Sequence, residues 1–177
     1  MINRDLKTLL ENYTSSYPEE EISRSRMLEF MEAHEDCFER SQKLGHFTGS
    51  AWIVNYNNSA FLLTLHKKLG KWLQCGGHAD GDHDIARVAM REAHEESGLK
   101  CLDFVFPQIF DVDAHKIPDW NGIPAHWHLD VRFLLRQTDP NETIKISDES
   151  LDLKWFKEIP EGSGELTRMF EKWKKLS

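Results

Sequence analysis

The stretch GHADGDHDIARVAMREAHEESGL, residues 77–99, decides the fold. It opens with a loop rich in glycine and aspartate and continues into the helical run IARVAMREAHEES, which we expect Gly98 to end, because glycine favours the left-handed conformation that follows many helices. A glycine-rich turn before a helix N-terminus lets the backbone approach a phosphate closely and directs free amides at it. The stretch therefore predicts a loop and a helix suited to a phosphate-bearing ligand.

Three carboxylates of this predicted helix lie on its apolar side. At ~100° per residue, Glu96 and Glu95 fall within ~60° of Glu92, together with the apolar residues Ile85, Val88, Ala89 and Leu99. Glu92 and Glu96 are an i,i+4 pair of like charge, which is repulsive even in water. Because Arg91 can pair with Glu95 but not with all three, a divalent cation would resolve the repulsion, and oxygen ligands indicate Mg²⁺ or Mn²⁺. The alternative from the helical wheel alone is a solvated acidic helix end.

The residues around this helix predict a mixed-sheet α/β or α+β domain. FTGSAWIVNY and AFLLTLHK, joined by NNS, indicate a hairpin, and the later strands are DFVFPQIFDVDAHKI, PAHWHLDVRFLLRQ and LDLKWF. The loop that joins DFVFPQIFDVDAHKI to PAHWHLDVRFLLRQ contains Asn121. ELTRMFEKWKKL predicts a closing helix.

Residues 1–45 predict a helical extension, with one helix at residues 3–13 and a second running from Pro18 through residue 43 and packing through Ile22, Met27 and Phe38, among others.

Composition excludes several classes of protein. The chain has 177 residues and a formal charge of −8, which suits one domain and argues against a nucleic-acid polymer as partner. No apolar run approaches the roughly 20 residues of a membrane span, so we expect no membrane association. The 3 cysteines are widely spaced, which disfavours disulfides and thiolate zinc sites. A soluble cytoplasmic protein is the expectation.

Residues 77–99 resemble the Nudix box, the pattern GX5EX7REUXEEXGU in which U is apolar. Every fixed position but one is matched, by Gly77, Arg91, Glu92, Ala93, Glu95, Glu96, Gly98 and Leu99. His83 replaces the first glutamate. Asp82 or Asp84 could supply that carboxylate, His83 could act as a neutral acceptor, or the site could be weakened.

The resemblance extends to the flanks GKWLQCGGH and SDESLDLKWF and covers roughly residues 46–160. It implies a Nudix-type mixed β-sheet sandwiched by helices. The corresponding division is an N-terminal helical extension at residues 1–45 and a Nudix hydrolase domain at residues 46–177, which includes the C-terminal helix.

The resemblance also implies a pyrophosphatase. Nudix enzymes hydrolyse a diphosphate linked to another moiety, typically in a nucleoside diphosphate derivative, so we expect a small-molecule diphosphate as partner. Glu92 and Glu96 would hold Mg²⁺ or Mn²⁺, with Glu95 as a further ligand and a backbone carbonyl at Gly76 or Gly77 completing the shell. Arg91 would organise the carboxylates and the loop.

The general base is open. In relatives it is a box glutamate, here Glu95, or an acid on a later loop. Glu149 fits the later position, with Asp148 as its nearest rival, and an exposed loop acid is an equal interpretation of Glu149. Gly77 and His78, at the start of the box, are further candidate substrate contacts.

Most of the 9 histidines lie between residues 78 and 128. Strand alternation places His126, His128 and Arg132 on one face, and it likewise groups Asp111, Asp113 and His115. One interpretation is the solvated side of an antiparallel sheet. The other is a polar wall of the substrate cleft, in which Arg132 contacts phosphate.

Two other functions remain open at this stage. WLQCGGH resembles the Cys and His region of isopentenyl diphosphate isomerase, a Nudix-fold enzyme that uses Cys and metal-binding His, although two glycines separate Cys75 from His78 here. The change at His83 would also suit a non-catalytic nucleotide-binding module. The N-terminal helices could cover the core, mediate a homodimer or shape the cleft.

Overall fold

A computed structural model describes residues 5–119 and 122–176. Residues 3 and 4 of the predicted first helix and Asn121 of the predicted loop lie outside this part of the chain. The helices are α1 Leu6–Glu11, α2 Pro18–Ala33, α3 Ile85–Ser97 and α4 Thr167–Lys175, the last preceded by a 3-10 turn at Gly164–Leu166. The strands are β1 Gly45–Val54, β2 Phe61–His66, β3 Trp72–Leu73, β4 Cys75–His78, β5 Leu102–Phe104, β6 Asp111–Ile117, β7 His126–Gln137 and β8 Ser150–Phe156. The predicted fold class is confirmed: a mixed β-sheet with flanking helices, of α+β type.

Residue contacts group the described chain into two compact units. The first consists of the described parts of Met1–Ser50, Gly77–Ala89 and Pro107–Phe133. The second consists of Ala51–Gly76, Met90–Phe106 and the described part of Leu134–Ser177. In the described parts of the chain, no helix is long and apolar enough to cross a bilayer.

Helix α2 packs on strand β6 in the first unit. The amide of Ala114 donates to Ser23 Oγ over 3.1 Å, and the amide of Val112 donates to Glu20 Oε1 over 3.2 Å. β6 pairs antiparallel with β7, from Asp111 opposite Arg132 to Ile117 opposite His126. The N-terminal helical segment therefore supplies polar side chains to the backbone of this strand pair.

The prediction for α2 was wrong in two respects. The helix ends at Ala33 and not near residue 43, because the next residues hydrogen-bond to other segments: the amide of Phe47 donates to the carbonyl of Cys37, and that of Gly81 to the carbonyl of Phe38. Ile22, which we expected to pack, is 64% exposed. Met27 and Phe38 are buried as expected.

Gly49 sets the distance between β1 and the first residues of α3 in this unit. A Cβ atom at Gly49 would lie 2.9 Å from the carbonyl oxygen of Ile85 and 3.0 Å from the amide nitrogen of Ala89. Both contacts are to backbone that cannot rotate away, so a side chain at residue 49 would push the helix from the strand. Glycine permits the observed approach.

The second unit is built on β2, which pairs antiparallel with β3 and with β8. The end of β1 also pairs with β2, which confirms the predicted hairpin. An apolar cluster fills this unit and includes Ala51, Ile53, Leu62, Cys75, Ala93, Leu99, Leu102, Leu135 and Leu153. In helix α4, Nε1 of Trp173 donates to Asn58 Oδ1 over 2.8 Å.

One predicted strand, residues 103–117, is two separate strands, β5 and β6. Pro107 lies between them and has no amide to donate to a sheet, so it interrupts strand pairing. By contrast, α3 ends as expected. Gly98 adopts a φ of +70°, and its amide donates to the carbonyl of His94 over 2.9 Å.

Candidate active site

The loop that leads into α3 is fixed by aspartates in the first unit. Asp84 Oδ1 accepts from the amide of Arg87 over 3.1 Å, which is the arrangement of a helix N-cap. Asp82 pairs with the same residue: Arg87 Nε donates to Asp82 Oδ2 over 2.7 Å. Both aspartates that we considered as substitutes for the missing glutamate are thus engaged in holding the loop to the helix.

His83 lies between these two aspartates and contacts an aromatic ring. It stacks on Phe38, with ring centroids 4.3 Å apart and planes inclined by 27°. Phe38 in turn stacks on Phe47 of β1 at 5.2 Å. The residue that departs from the Nudix box therefore packs on an aromatic pair of the first unit.

The acidic residues of α3 belong to the second unit and differ in exposure. Glu96 is 9% exposed and the Glu92 side chain 16%, whereas Glu95 is exposed. Partial desolvation was expected for all three, and Glu95, which lies at the edge of the apolar side of the wheel, departs from it. Arg91 Nη2 donates to Glu92 Oε1 over 2.7 Å, so the guanidinium pairs with this neighbouring carboxylate.

Gly76, which was expected to offer a carbonyl to the metal, contacts the site through its amide. That amide donates to Glu96 Oε1 over 2.8 Å. Gly76 lies in β4 next to Cys75, whose side chain is part of the apolar cluster. The strand before the glycine-rich loop thus holds one oxygen of the most buried box carboxylate.

Burial and like charge both perturb this pair of carboxylates. Burial raises the pKa of Glu96 to about 7; the Gly76 amide opposes the shift, and the charges of Glu92, Glu149 and Glu95 add to it. Burial also raises the pKa of Glu92, opposed by Arg91 and assisted by Glu95 and Glu149. Carboxylates held together in this way bear an excess of negative charge that a hard divalent cation would neutralise, so the residues present fit Mg²⁺ or Mn²⁺.

Glu149 lies in the turn before β8 and is exposed. Its backbone carbonyl accepts from the amide of Lys67 over 3.1 Å, which ties the turn to the end of β2. Because its charge raises the pKa of both Glu92 and Glu96, its side chain acts on the box carboxylates electrostatically. Its role as general base stays a prediction.

Cys75 is an unfavourable nucleophile. It is completely buried in the apolar cluster of the second unit. Burial, followed by the charges of Glu96 and Glu92, raises the pKa of this thiol well above its ordinary value. A thiol that stays protonated is poorly reactive, which disfavours the isomerase interpretation.

The prediction that Arg132 contacts a phosphate does not agree with its surroundings. It is 6% exposed, and its guanidinium donates to Asp130 Oδ2 over 2.7 Å, to Asp111 Oδ1 over 2.9 Å and to Asp113 Oδ2 over 3.2 Å. Burial alone would lower the pKa of this group, but the three aspartates raise it. Arg132 is therefore committed to a buried ion cluster. The part of the sheet face around Arg132 and Asp111 is buried, whereas His115 on β6 is exposed.

Four histidines of the first unit lie together. His78, His126 and His128 were candidate substrate contacts, and His46 of β1 packs among them, with centroid distances of 4.9 Å to His78, 5.0 Å to His126 and 4.9 Å to His128. Sequence analysis did not single out His46, although strand alternation places it on one face of β1 with Thr48 and Ser50. Gly77 lies in β4 and is half-buried. The substrate roles of Gly77 and of the three predicted histidines stay predictions.

Comparison with known proteins gives the following similarities. The model of the NUDIX domain family matches residues 46–159. A hydrolase of the NUDIX family from Clostridium perfringens has 26% sequence identity, with 75% of this chain and 98% of that chain covered and a TM-score of 0.54. No curated protein matches the sequence.

Two further solved structures share the fold. An Ap4A hydrolase from C. elegans, in a binary complex, has 19% identity, 74% and 98% coverage of the two chains and a TM-score of 0.55. A MutT protein from Methanosarcina mazei Go1 has 18% identity, 76% and 96% coverage and a TM-score of 0.54.

Proposed function

The chain belongs to the NUDIX family of hydrolases, as predicted from residues 77–99, and we propose that it uses Mg²⁺ or Mn²⁺ to cleave the diphosphate bond of a nucleoside diphosphate linked to another moiety. The observation that carries this proposal is the desolvated pair Glu92 and Glu96 on α3. Carboxylates with raised pKa values in one place are typical of functional sites. A binding module without turnover would have no need to keep such a pair together.

The metal would be held by carboxylate oxygens. We assign Glu92 and Glu96 as ligands, Glu95 as a further ligand directly or through water, and the carbonyl of Gly76 as a backbone ligand. A divalent cation held by these residues would polarise phosphoryl oxygens and lower the pKa of bound water. The 2.8 Å hydrogen bond from the Gly76 amide to Glu96 fixes one ligand, and the 2.7 Å bond from Arg91 to Glu92 fixes the other.

The chain's own groups then handle the proton and the charge. A water molecule attacks phosphorus, the new P–O bond forms, the bridging P–O bond breaks, and the proton of the water passes to the carboxylate of Glu149. Exposure suits Glu149 to this task, since it can exchange the proton with solvent afterwards. Arg91 offsets part of the negative charge beside the leaving phosphate.

The substrate is proposed only as a chemical class, a small-molecule diphosphate, and not as one compound. Ap4A is a substrate named for a neighbour of similar fold, and dinucleoside polyphosphates therefore belong in a test panel. A small-molecule substrate is proposed, not a nucleic-acid polymer, because the formal charge of −8 disfavours a polyanion whereas bound Mg²⁺ reverses the local charge for a small diphosphate.

The domain boundary at residues 45/46 is also proposed, and the start of the family match at residue 46 supports it. The cytoplasmic location and a homodimer formed through the N-terminal helices remain predictions.

A panel assay tests the proposal. The full chain is incubated with Mg²⁺, with Mn²⁺ or with EDTA and with ADP-ribose, nucleotide sugars, dinucleoside polyphosphates, oxidised dNTPs or isopentenyl diphosphate, and products are separated by ion-exchange chromatography. We expect metal-dependent release of phosphate-bearing products from at least one nucleotide. Tight binding of a nucleotide without turnover would identify a binding module, and rearranged isopentenyl diphosphate an isomerase.

A further inference from the structure

The histidine cluster of the first unit contains three ring contacts besides those of His46. His78 and His128 meet edge to face at 5.1 Å between ring centroids, and His126 lies 5.2 Å from His128. His115, which pairs opposite His128 across β6 and β7, completes the group at 5.7 Å. Five imidazoles thus share one region of this unit.

Three of these rings place one nitrogen atom each close to the other two. His46, His78 and His128 each offer a ring nitrogen, and the three atoms lie within 4.8 Å of one another. A tetrahedral zinc ion with Zn–N bonds of about 2.0–2.1 Å separates its ligand nitrogens by about 3.4 Å. Small rotations of the side chains would therefore close the three nitrogens around an ion.

His46 is buried without hydrogen bonds. It is 4% exposed, and within residues 5–119 and 122–176 neither Nδ1 nor Nε2 has a hydrogen-bond partner. The backbone of Gln42 lies near the ring and favours its protonation, but it is outside hydrogen-bond geometry. Burying polar atoms without hydrogen-bond partners is energetically unfavourable. A metal ion on one nitrogen would remove much of this cost, and the Gln42 backbone could orient the other.

The backbone around the three histidines is held by hydrogen bonds between their strands. The amide of Trp127 donates to the carbonyl of Leu44 over 2.9 Å, and that of Ala79 donates to the carbonyl of Phe47 over 3.2 Å. Each of these four residues is one or two positions from one of the three histidines. The ligand set is therefore carried on strands, which position side chains more accurately than free loops.

We propose that His46, His78 and His128 bind a divalent first-row transition metal, with zinc as the ion of choice. Imidazole nitrogen suits Zn²⁺, Cu²⁺, Ni²⁺ and Fe²⁺, whereas the carboxylates of α3 suit Mg²⁺ or Mn²⁺. Three histidines leave one coordination position of a tetrahedral ion for water, a ligand or the neighbouring His126 or His115. The site is distinct in donor chemistry from the site of the proposed hydrolysis and does not depend on it.

Metal binding to the EDTA-treated full chain tests the proposal. We would titrate Zn²⁺ by calorimetry and Co²⁺ by visible absorption, since Co²⁺ in a tetrahedral nitrogen site absorbs far more strongly than in an octahedral oxygen site. The variants are His78→Gln and His128→Gln, with His34→Gln, directly after the end of α2, as a matched control. Glu96→Gln separates this site from the carboxylates of α3.

We expect wild type, His34→Gln and Glu96→Gln to bind one Zn²⁺ with intense Co²⁺ absorption. His78→Gln and His128→Gln should lose at least the 10–100-fold in affinity that even outer-shell changes cause. X-ray absorption of the zinc-loaded wild type requires no variant and should show three or more imidazole ligands. Fewer than three imidazoles, or unchanged zinc affinity in a folded His78→Gln protein, would overturn the proposal.

Discussion

The amide of Gly76 donates a 2.8 Å hydrogen bond to Glu96 Oε1, so a strand residue holds a carboxylate that is 9% exposed. The bond keeps the glutamate in one orientation at the cost of leaving a charged group largely desolvated. The carboxylate of Glu96 has lost most of its contact with water, so the structure around it favours a bound ligand that replaces those contacts.

Without divalent cations, Glu96 should make stability depend on pH. Its pKa is about 7 in the folded chain against an ordinary value of 4.5, so the unfolded chain loses the proton first as the pH rises. The contribution of Glu96 is therefore fully present below pH 4.5, is lost between pH 4.5 and 7, and is constant above pH 7. We expect Glu96→Gln, which keeps an acceptor for Gly76, to raise the free energy of unfolding by about 1–3 kcal/mol at pH 8 in EDTA.

Urea denaturation at a series of pH values measures this difference. The difference between variant and wild type should vanish near pH 4 and grow up to about pH 7. Saturating Mg²⁺ should stabilise the wild type and leave Glu96→Gln almost unchanged, since only the ionised site gains from the cation. A difference that is independent of pH would show that Glu96 is not the group that titrates.

Glu149 should be needed for the proton transfer. Replacing a general base typically costs about 10²–10⁴-fold in rate, so Glu149→Gln should lower kcat by that order. Asp148→Asn, one residue away in the same turn, is the matched comparison and should keep kcat near that of the wild type. If Asp148→Asn loses this activity and Glu149→Gln keeps it, the assignment is reversed.

Arg132 should be a structural residue. Replacing it with methionine leaves Asp111, Asp113 and Asp130 without their shared cation, and removing one partner of a buried ion pair costs about 3–5 kcal/mol. Equilibrium denaturation should show this loss. Arg87→Met removes an ion pair whose arginine is 60% exposed and should cost much less. A stable Arg132→Met protein with a raised KM for its nucleotide would instead show that Arg132 contacts the substrate.

His83 should contribute packing and not chemistry. His83→Ala removes the ring that stacks on Phe38, and such aromatic contacts are worth about 0.5–1.5 kcal/mol. We expect a loss of that size in the free energy of unfolding and hydrolysis that continues at a similar rate. Hydrolysis lost without any loss of stability would show that the histidine has taken over a role of the glutamate it replaces.

Sequence reasoning succeeded where local pattern decides the structure. Helix α3 with its end at Gly98 and the β1–β2 hairpin follow from periodicity and turn residues within one segment. The end of α2 and the break between β5 and β6 were missed. The end of α2 was missed because the carbonyls of Cys37 and Phe38 accept hydrogen bonds from amides that are distant in sequence. The break between β5 and β6 was missed because the apolar residues around Pro107 favoured one continuous strand.

The candidate site likewise contains contacts that the sequence could predict and contacts that it could not. The grouping of Glu92 and Glu96 could be predicted from the helical wheel, because both lie on one helix. The partners of Arg132 on β6 could not, since strand alternation groups Asp111 with Asp113 on one strand and Arg132 with the histidines of another, and it reveals neither the register between the two strands nor their burial. His46 was missed because its neighbours come from other strands.

The most direct test of the account is the steady-state rate of diphosphate hydrolysis, with the best substrate of the panel and saturating Mg²⁺, for Glu92→Gln, Glu96→Gln and the exposed control Glu158→Gln. Losing a direct metal ligand should cost more than the 10–100-fold of outer-shell changes, so we expect kcat/KM to fall by at least about 100-fold in the first two variants. Glu158→Gln should match the wild type. Folded Glu92→Gln and Glu96→Gln proteins that retain wild-type, Mg²⁺-dependent hydrolysis would contradict the account.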